Sequence, residues 1–243
     1  MHYVYIPGMD RCGTSWVTRW LKKHPDIYVE NERYLIPNLS RVFLRKGIAK
    51  AADVDVQNMR RIVLEESARW NAAGKAYFID KSPGTLLTKR GGESLLAIVA
   101  ELLPQARVLV FYKYGPDYVF SRAHLPAWGR SVMPAESVTT YVENIRLVVP
   151  DAPPANTLFL KYEDLCARPD EMAARIGQFL GIALEHKLEP WTRPVNTRHV
   201  RYDSERWKTM SLDEIEDMTR MDPELVRLGY PSVASYLESI RSR

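Results

Sequence analysis

The chain has 243 residues, 46% of them hydrophobic and 26% charged, with a net charge of +4 and a pI near 9.0. These values fit one globular domain with a large core, and no apolar run approaches the roughly 18 residues that cross a bilayer. Lys and Arg are spread along the chain and mixed with acids, which argues against a nucleic-acid stripe and for a local positive pocket that takes a small anion.

In chain order, the β-branched and aromatic run 3–6 predicts a strand that stops at Pro7-Gly8. A tight loop with Arg11, Cys12 and Gly13 follows, and a helix is expected from Thr14 to Lys23, with Trp16, Trp20 and Leu21 on one face, ending before His24-Pro25. Hydrophobic period predicts helices over 39–45 and 54–70. Residues 76–79 read as a short buried strand closed by Asp80-Lys81-Ser82-Pro83. A helix over 93–103 leads into the most strand-like run, 107–112; helices over 118–124 and 136–149, a strand over 157–160 and a helix over 171–180 follow.

Strands alternating with helices imply an α/β fold, P-loop-like and three-layered, in which helices flank a central parallel sheet. Residues 1–243 read as a single domain, with 183–243 as a C-terminal flap and helical cap. That tail is Pro- and Arg-rich to Trp207, with Arg193, Arg198, Arg201, Arg206 and Lys208 suited to closing over phosphates. The first strand begins at once, with no charged region, apolar region and cleavage site before it, so a soluble cytoplasmic protein is expected. Two cysteines, Cys12 and Cys166, make neither a disulfide framework nor a zinc site. Cys12 reads as a small side chain packed under the loop, its alternative a thiol activated by a helix N-terminus.

Strand, loop and helix N-terminus together form an anion site, because the first amide N–H groups converge, the helix dipole adds partial positive charge and the hydroxyls of Thr14 and Ser15 add donors. Arg11 suits a phosphate or sulfate there, and Gly13 lets backbone approach the anion. Three further polar clusters follow later strands: Asp80–Ser82, Lys113, and Lys161–Asp164. Ligands of open parallel sheets sit beyond the carboxyl ends of the strands, so these clusters should converge on one site.

These residues resemble a known family. Asp10-Arg11-Cys12-Gly13-Thr14-Ser15-Trp16 resembles the 5′-phosphosulfate loop of sulfotransferases that use 3′-phosphoadenosine-5′-phosphosulfate (PAPS). Lys113-Tyr114-Gly115-Pro116-Asp117 through Ser121 resembles their 3′-phosphate motif, and Leu160–Leu165 with Phe179-Leu180-Gly181-Ile182 their Tyr-Glu-Asp-Leu…Phe-Leu-Gly segment. Residues 24–37 look most like tyrosylprotein sulfotransferases. Asp10 stands where the family has proline, Asn31 replaces the first Glu of a pair, and Lys113 replaces an arginine, exchanging a bidentate contact for a point charge.

The resemblance implies a soluble, bacterial-type sulfotransferase that moves a sulfonyl group from PAPS to a hydroxyl, with no metal and no nucleic acid. It assigns Glu32 as general base, Lys81 as support for the departing phosphate and Arg11 as the bridge between 5′-phosphate and sulfonyl. Cys12, Gly13, Thr14, Ser15, Trp16, Lys113, Ser121, Tyr162 and Arg206 are the implied PAPS contacts. Trp16 stacks on adenine or fills the core; His24 and His124 are rival bases; Asp80 and Lys81 form either a structural pair or part of the site; Glu163 and Asp164 cap the next helix. The acceptor is a tyrosine or other phenol of a peptide, or a carbohydrate, lipid or small natural-product hydroxyl, and homodimerisation is open. A P-loop kinase and a non-catalytic PAPS-binding protein are the rival readings, although the loop lacks the lysine a kinase needs before Thr14-Ser15.

Overall fold

The computed structural model describes residues 1–9, 11–32, 35–36, 53–82, 95–123, 134–189 and 210–241. The chain divides into two compact units: Met1–Tyr112 with Leu147–Pro190, and Lys113–Arg146 with Trp191–Arg243.

The first unit holds a five-stranded sheet in the order β2-β3-β1-β4-β5, built from β1 (His2–Ile6), β2 (Ile27–Asn31), β3 (Tyr77–Lys81), β4 (Arg107–Tyr112) and β5 (Thr157–Lys161). All its pairings are parallel, so helices cover both faces, and the central strands are continuous apolar runs rather than alternating ones. β1 and β3 pair from His2 with Tyr77 to Ile6 with Lys81. Helix α1 (Thr14–Leu21) follows β1, and α2 (Asp53–Trp70) and α3 (Leu95–Leu102) lie on either side of β3 in sequence. α6 (Tyr162–Ala167) and α7 (Pro169–Leu180) follow β5. The alternation, the parallel sheet and the flanking helices agree with the reading from sequence.

Edge strand β2 was not among the strands expected. Its residues alternate between buried and partly exposed, so it lacks the continuous apolar run that marks β1 and β4. The expectation that the third strand stops at Ile79 is also corrected: it continues through Asp80 and Lys81, both buried. Charged residues persist in a buried strand only when each finds partners, and these two find different ones. α6 is a further correction, since Glu163 and Asp164 lie in its own first turn, with Asp164 2.8 Å from Arg168.

The second unit contains α4 (Gly115–Ala123), most of α5 (Pro134–Val148), α8 (Leu212–Thr219), α9 (Asp222–Arg227) and α10 (Val233–Arg241). Tyr118 and Tyr141 pack at 5.6 Å between ring centroids. The buried Glu224 carboxylate is held by Arg146 and Arg227, and a capping box between Ser211 and Glu214 starts α8. Gly115 admits no larger residue without a shift, because a Cβ there would lie 2.8 Å from Met221 Sδ. The helix expected over 39–45, Asp10, His124 and the basic tract with Arg193, Arg198, Arg201, Arg206 and Lys208 lie outside the described residues.

Candidate active site

β1 delivers the chain toward Arg11–Gly13 and α1 carries it away. Gly13 is the N-cap of α1, left-handed at φ 83°, with no side-chain capping bond. The Trp16 and Val17 amides both return to the Gly13 carbonyl, at 3.0 and 3.2 Å. The amides of Gly13, Thr14 and Ser15 therefore precede the first intrahelical bond and open toward the loop, the arrangement that receives an anion. A Cβ at Gly13 would stand 2.8 Å from Tyr162 Cδ2, where real atoms do not sit. Tyr162, the first residue of α6, is thus packed directly on the loop. Cys12 is fully buried beneath it, and Thr14 is buried as well, while Ser15 is exposed.

Lys81 ends β3 on the face turned toward α1. Its ammonium donates to Glu32 Oε1 at 2.6 Å and to Ser15 Oγ at 3.0 Å. One buried cation thereby connects a carboxylate to the first turn of the anion helix. The lysine is 3% exposed and the glutamate 51%.

Glu32 reaches this contact by breaking the strand alternation. In register Asn31 pairs with Lys81 and Glu30 with Asp80, so a continued strand would send residue 32 to the Glu30 face. Instead Glu32 takes φ 60°, while its N–H still donates to the Lys81 carbonyl at 2.8 Å. Arg11, half-buried in the loop, has φ 66°. These are the two non-glycine residues with positive φ among those described. Such conformations cost on the order of 1–3 kcal/mol each and gather where function dictates the backbone.

The structural Asp80–Lys81 pair, one of the two alternatives for these residues, does not form. Asp80 points to the opposite face, where its carboxylate accepts from Tyr3 Oη and Ser82 Oγ, both at 2.8 Å. Burial pushes the Asp80 carboxyl up to about 6, partly offset by those two hydrogen bonds and reinforced by the negative charge of Glu30. Tyr3 is driven well above its ordinary value by burial and by Asp80.

Arg11 to Ser15, Glu32, Lys81 and Tyr162 are therefore gathered in the first unit around one loop and the carboxyl ends of neighbouring strands. Trp16 is buried, and its indole N–H donates to the Glu189 carbonyl at 3.1 Å. His24 precedes β2, at the end of that strand away from Glu32, with its Nδ1 accepting from the Asp26 amide at 3.1 Å. Lys113 and Ser121 are buried residues of the second unit. Of the partners of Asp80, Tyr3 was not singled out from sequence, and Ser82 was read only as a member of the polar cluster Asp80–Ser82. No group of three or more residues suited to a metal ion occurs among those described, and none of the described helices is long and apolar enough to cross a membrane.

The parallel five-stranded sheet flanked by helices, with the strand–loop–helix turn after β1 and the lysine–carboxylate pair beside it, defines a protein of the P-loop-like α/β class. Residues 4–186 match the sulfotransferase family, and the chain belongs to that family. Among solved structures it is similar to the sulfotransferase domain of the Synechococcus PCC 7002 olefin synthase, at 18% identity and TM-score 0.59, over 89% of this chain and 93% of that one. A sulfotransferase domain from the curacin biosynthetic pathway aligns at 14% identity and TM-score 0.58, over 95% and 98%. A sulfotransferase from Alicyclobacillus acidocaldarius does so at 18% and 0.57, over 94% of each chain. At these identities the likeness is one of fold. No curated protein matches the sequence.

Proposed function

We propose that this chain transfers a sulfonyl group from PAPS to an acceptor hydroxyl, with Glu32 as general base. The observation that carries the reading is the continuous contact from Glu32 through Lys81 to Ser15, which joins a half-exposed carboxylate to the mouth of an anion site. The residues present suit the donor: the glycine cradle at Gly13 has no room for a Cβ, and the α1 N-terminus favours negative charge.

In this mechanism Glu32 takes the acceptor proton as the acceptor oxygen attacks sulfur. A positioned base contributes typically 10²–10⁴-fold. The bond from sulfur to the 5′-phosphate oxygen breaks, and that oxygen gains charge as it leaves. Lys81, Arg11 and the loop amides stabilise it where it develops. Lys81, buried and already oriented, pays little reorganisation at that moment. On the resemblance of sequence, Lys113 and Ser121 are assigned to the 3′-phosphate, and Arg206 to the same nucleotide.

For the acceptor, the resemblance of residues 24–37 supports a phenolic hydroxyl such as tyrosine. A second reading, an alcohol of a biosynthetic intermediate, is favoured by the likeness to domains named for an olefin synthase and for the curacin pathway. Incubation with PAPS and a panel of phenols, tyrosine peptides and aliphatic alcohols, read by mass spectrometry for the addition of one SO₃, decides between them. Absence of any sulfated product across the panel, with PAPS bound, supports the binding-only alternative.

A further inference from the structure

We infer that Asp80 is a positioning residue for Lys81, acting with Ser82 and Tyr3 as a brace on the far face of the sheet; the kinetic part of this inference rests on the function proposed above.

Asp80 and Ser82 flank Lys81 in sequence, and their side chains hold each other across it, Ser82 Oγ donating to Asp80 Oδ1 at 2.8 Å. The other carboxylate oxygen is tied to the neighbouring strand by Tyr3 Oη at 2.8 Å. Backbone bonds complete the frame: the Ser82 amide donates to the Ile6 carbonyl at 3.1 Å and the Glu32 amide to the Lys81 carbonyl at 2.8 Å. The residues on both sides of the lysine are thereby fixed to β1, and its side chain leaves the sheet in one direction only. That direction ends on Glu32 and Ser15.

The brace is costly by itself. Asp80 is 1% exposed, its two side-chain donors are neutral hydroxyls, and Glu30 stands beside it in register. Burial of a carboxylate on such terms is unfavourable. An apolar residue would fill the same buried position at lower cost, but would not hold the Asp80–Ser82 segment rigid about Lys81. Groups that must act in a transition state have to be held within a fraction of an ångström by their supports.

The test compares kcat, donor KM and melting temperature for the wild type, Asp80→Ala, Asp80→Asn and Ser82→Ala, with PAPS and an acceptor found by the panel. Asp80→Ala and Ser82→Ala should lower kcat by about ten- to a hundredfold, the scale on which a small displacement of a reacting group is felt, with donor KM changed by less than about twofold. Asp80→Asn, which keeps an acceptor for Tyr3, should recover most of the loss. Wild-type kcat per folded molecule in Asp80→Ala overturns the inference. If that variant does not fold, Ser82→Ala decides in the same way, since it leaves the Tyr3–Asp80 bond in place. If the wild type transfers nothing, the proposed function fails separately, and the ligand-free crystal structures of Asp80→Ala and Ser82→Ala still decide: a Lys81 ammonium moved off Glu32 and Ser15 supports the brace, and an unmoved one overturns it.

Discussion

Lys81 and Glu32 meet at 2.6 Å across the carboxyl ends of β3 and β2, the ammonium buried and the carboxylate open to solvent. A surface ion pair of ordinary kind is worth about 0–1 kcal/mol and would not need a left-handed residue to make it. Here Glu32 adopts φ 60°, leaving the face its strand register prescribes. On the function proposed above, the pair places two reactive groups rather than holding the fold.

Glu32→Gln tests the placement directly. The amide oxygen can still accept from Lys81, so the variant should fold and bind adenosine 3′,5′-bisphosphate within a few-fold of wild type. Its kcat should fall by about 10²–10⁴, the usual contribution of a positioned base. Steady-state kinetics with calorimetric binding check both halves, and an unchanged kcat removes Glu32 from the mechanism.

Arg11→Ala should abolish transfer and leave the melting temperature close to wild type, because the side chain lies in a loop and is half-buried. Arg11→Lys keeps the charge and loses the planar fork that matches a phosphate or sulfonyl group. It should restore donor binding more than turnover, and equal recovery of both would mean that Arg11 serves only as a charge.

Gly13 faces two separate constraints, which a double variant can part. An alanine there suffers the left-handed φ of 83° and a Cβ contact of 2.8 Å with Tyr162. The backbone term alone is about 1–2 kcal/mol. Gly13→Ala should lower both melting temperature and donor affinity. Adding Tyr162→Ala should return part of the melting temperature by relieving the contact, and leave the backbone cost in place. Full recovery in the double variant would show that φ at Gly13 is not limiting.

How much of this was legible beforehand depends on the kind of signal each residue carries. The central strands announce themselves because burial on both faces demands continuous apolar runs, as in Tyr3–Ile6 and Val108–Phe111. The loop announces itself because Gly, Thr and Ser follow a strand end. β2 did not, since an edge strand with one wet side has Tyr28 and Glu30 among its apolar residues. The sequence offered Asp80 and Lys81 as neighbours, and neighbours of opposite charge invite pairing. Strand geometry sends them to opposite faces instead, a fact that needs the strand to run two residues further than its apolar part. Nothing local predicts the positive φ of Glu32, which is set by tertiary contact with Lys81. The sulfotransferase fold was legible; the course of the charges at the strand ends was not.

Asp80 has a consequence for stability as well as for geometry. Its carboxyl is pushed up to about 6 in the folded protein, above the ordinary value near 3.9 of an exposed Asp. Between those values the folded state binds more protons than the unfolded state, so stability from this group falls as pH rises. The contribution is fully present below about pH 4 and lost as pH passes about 6, a change on the order of 3 kcal/mol. Glu30 and Tyr28 from β2, and Tyr3 and Tyr5 from β1, share that face by register. Chemical denaturation of wild type and Asp80→Asn at a series of pH values isolates the effect, since all other groups are common to both. The difference in stability between them should shift toward Asp80→Asn as pH rises from 4 to 7, and a difference independent of pH would contradict it.

The donor itself is tested by competition between nucleotides. A kinase loop places a lysine directly before its Thr or Ser pair, where it reaches the terminal phosphates. This chain has Cys12 and Gly13 there, and the lysine that reaches the first turn of α1 comes from β3 instead, with its ammonium on Ser15. A cation delivered from the side suits a single bridging oxygen better than a chain of three phosphates with its metal. Adenosine 3′,5′-bisphosphate should therefore raise the melting temperature more than ATP with Mg²⁺ at equal concentration, by the amount its tighter binding sets through mass action. Lys81→Ala should erase most of the turnover while this nucleotide preference persists, because the preference is assigned to the 3′-phosphate and the lysine to the leaving oxygen. Stronger stabilisation by ATP would overturn the PAPS assignment and reopen the kinase reading.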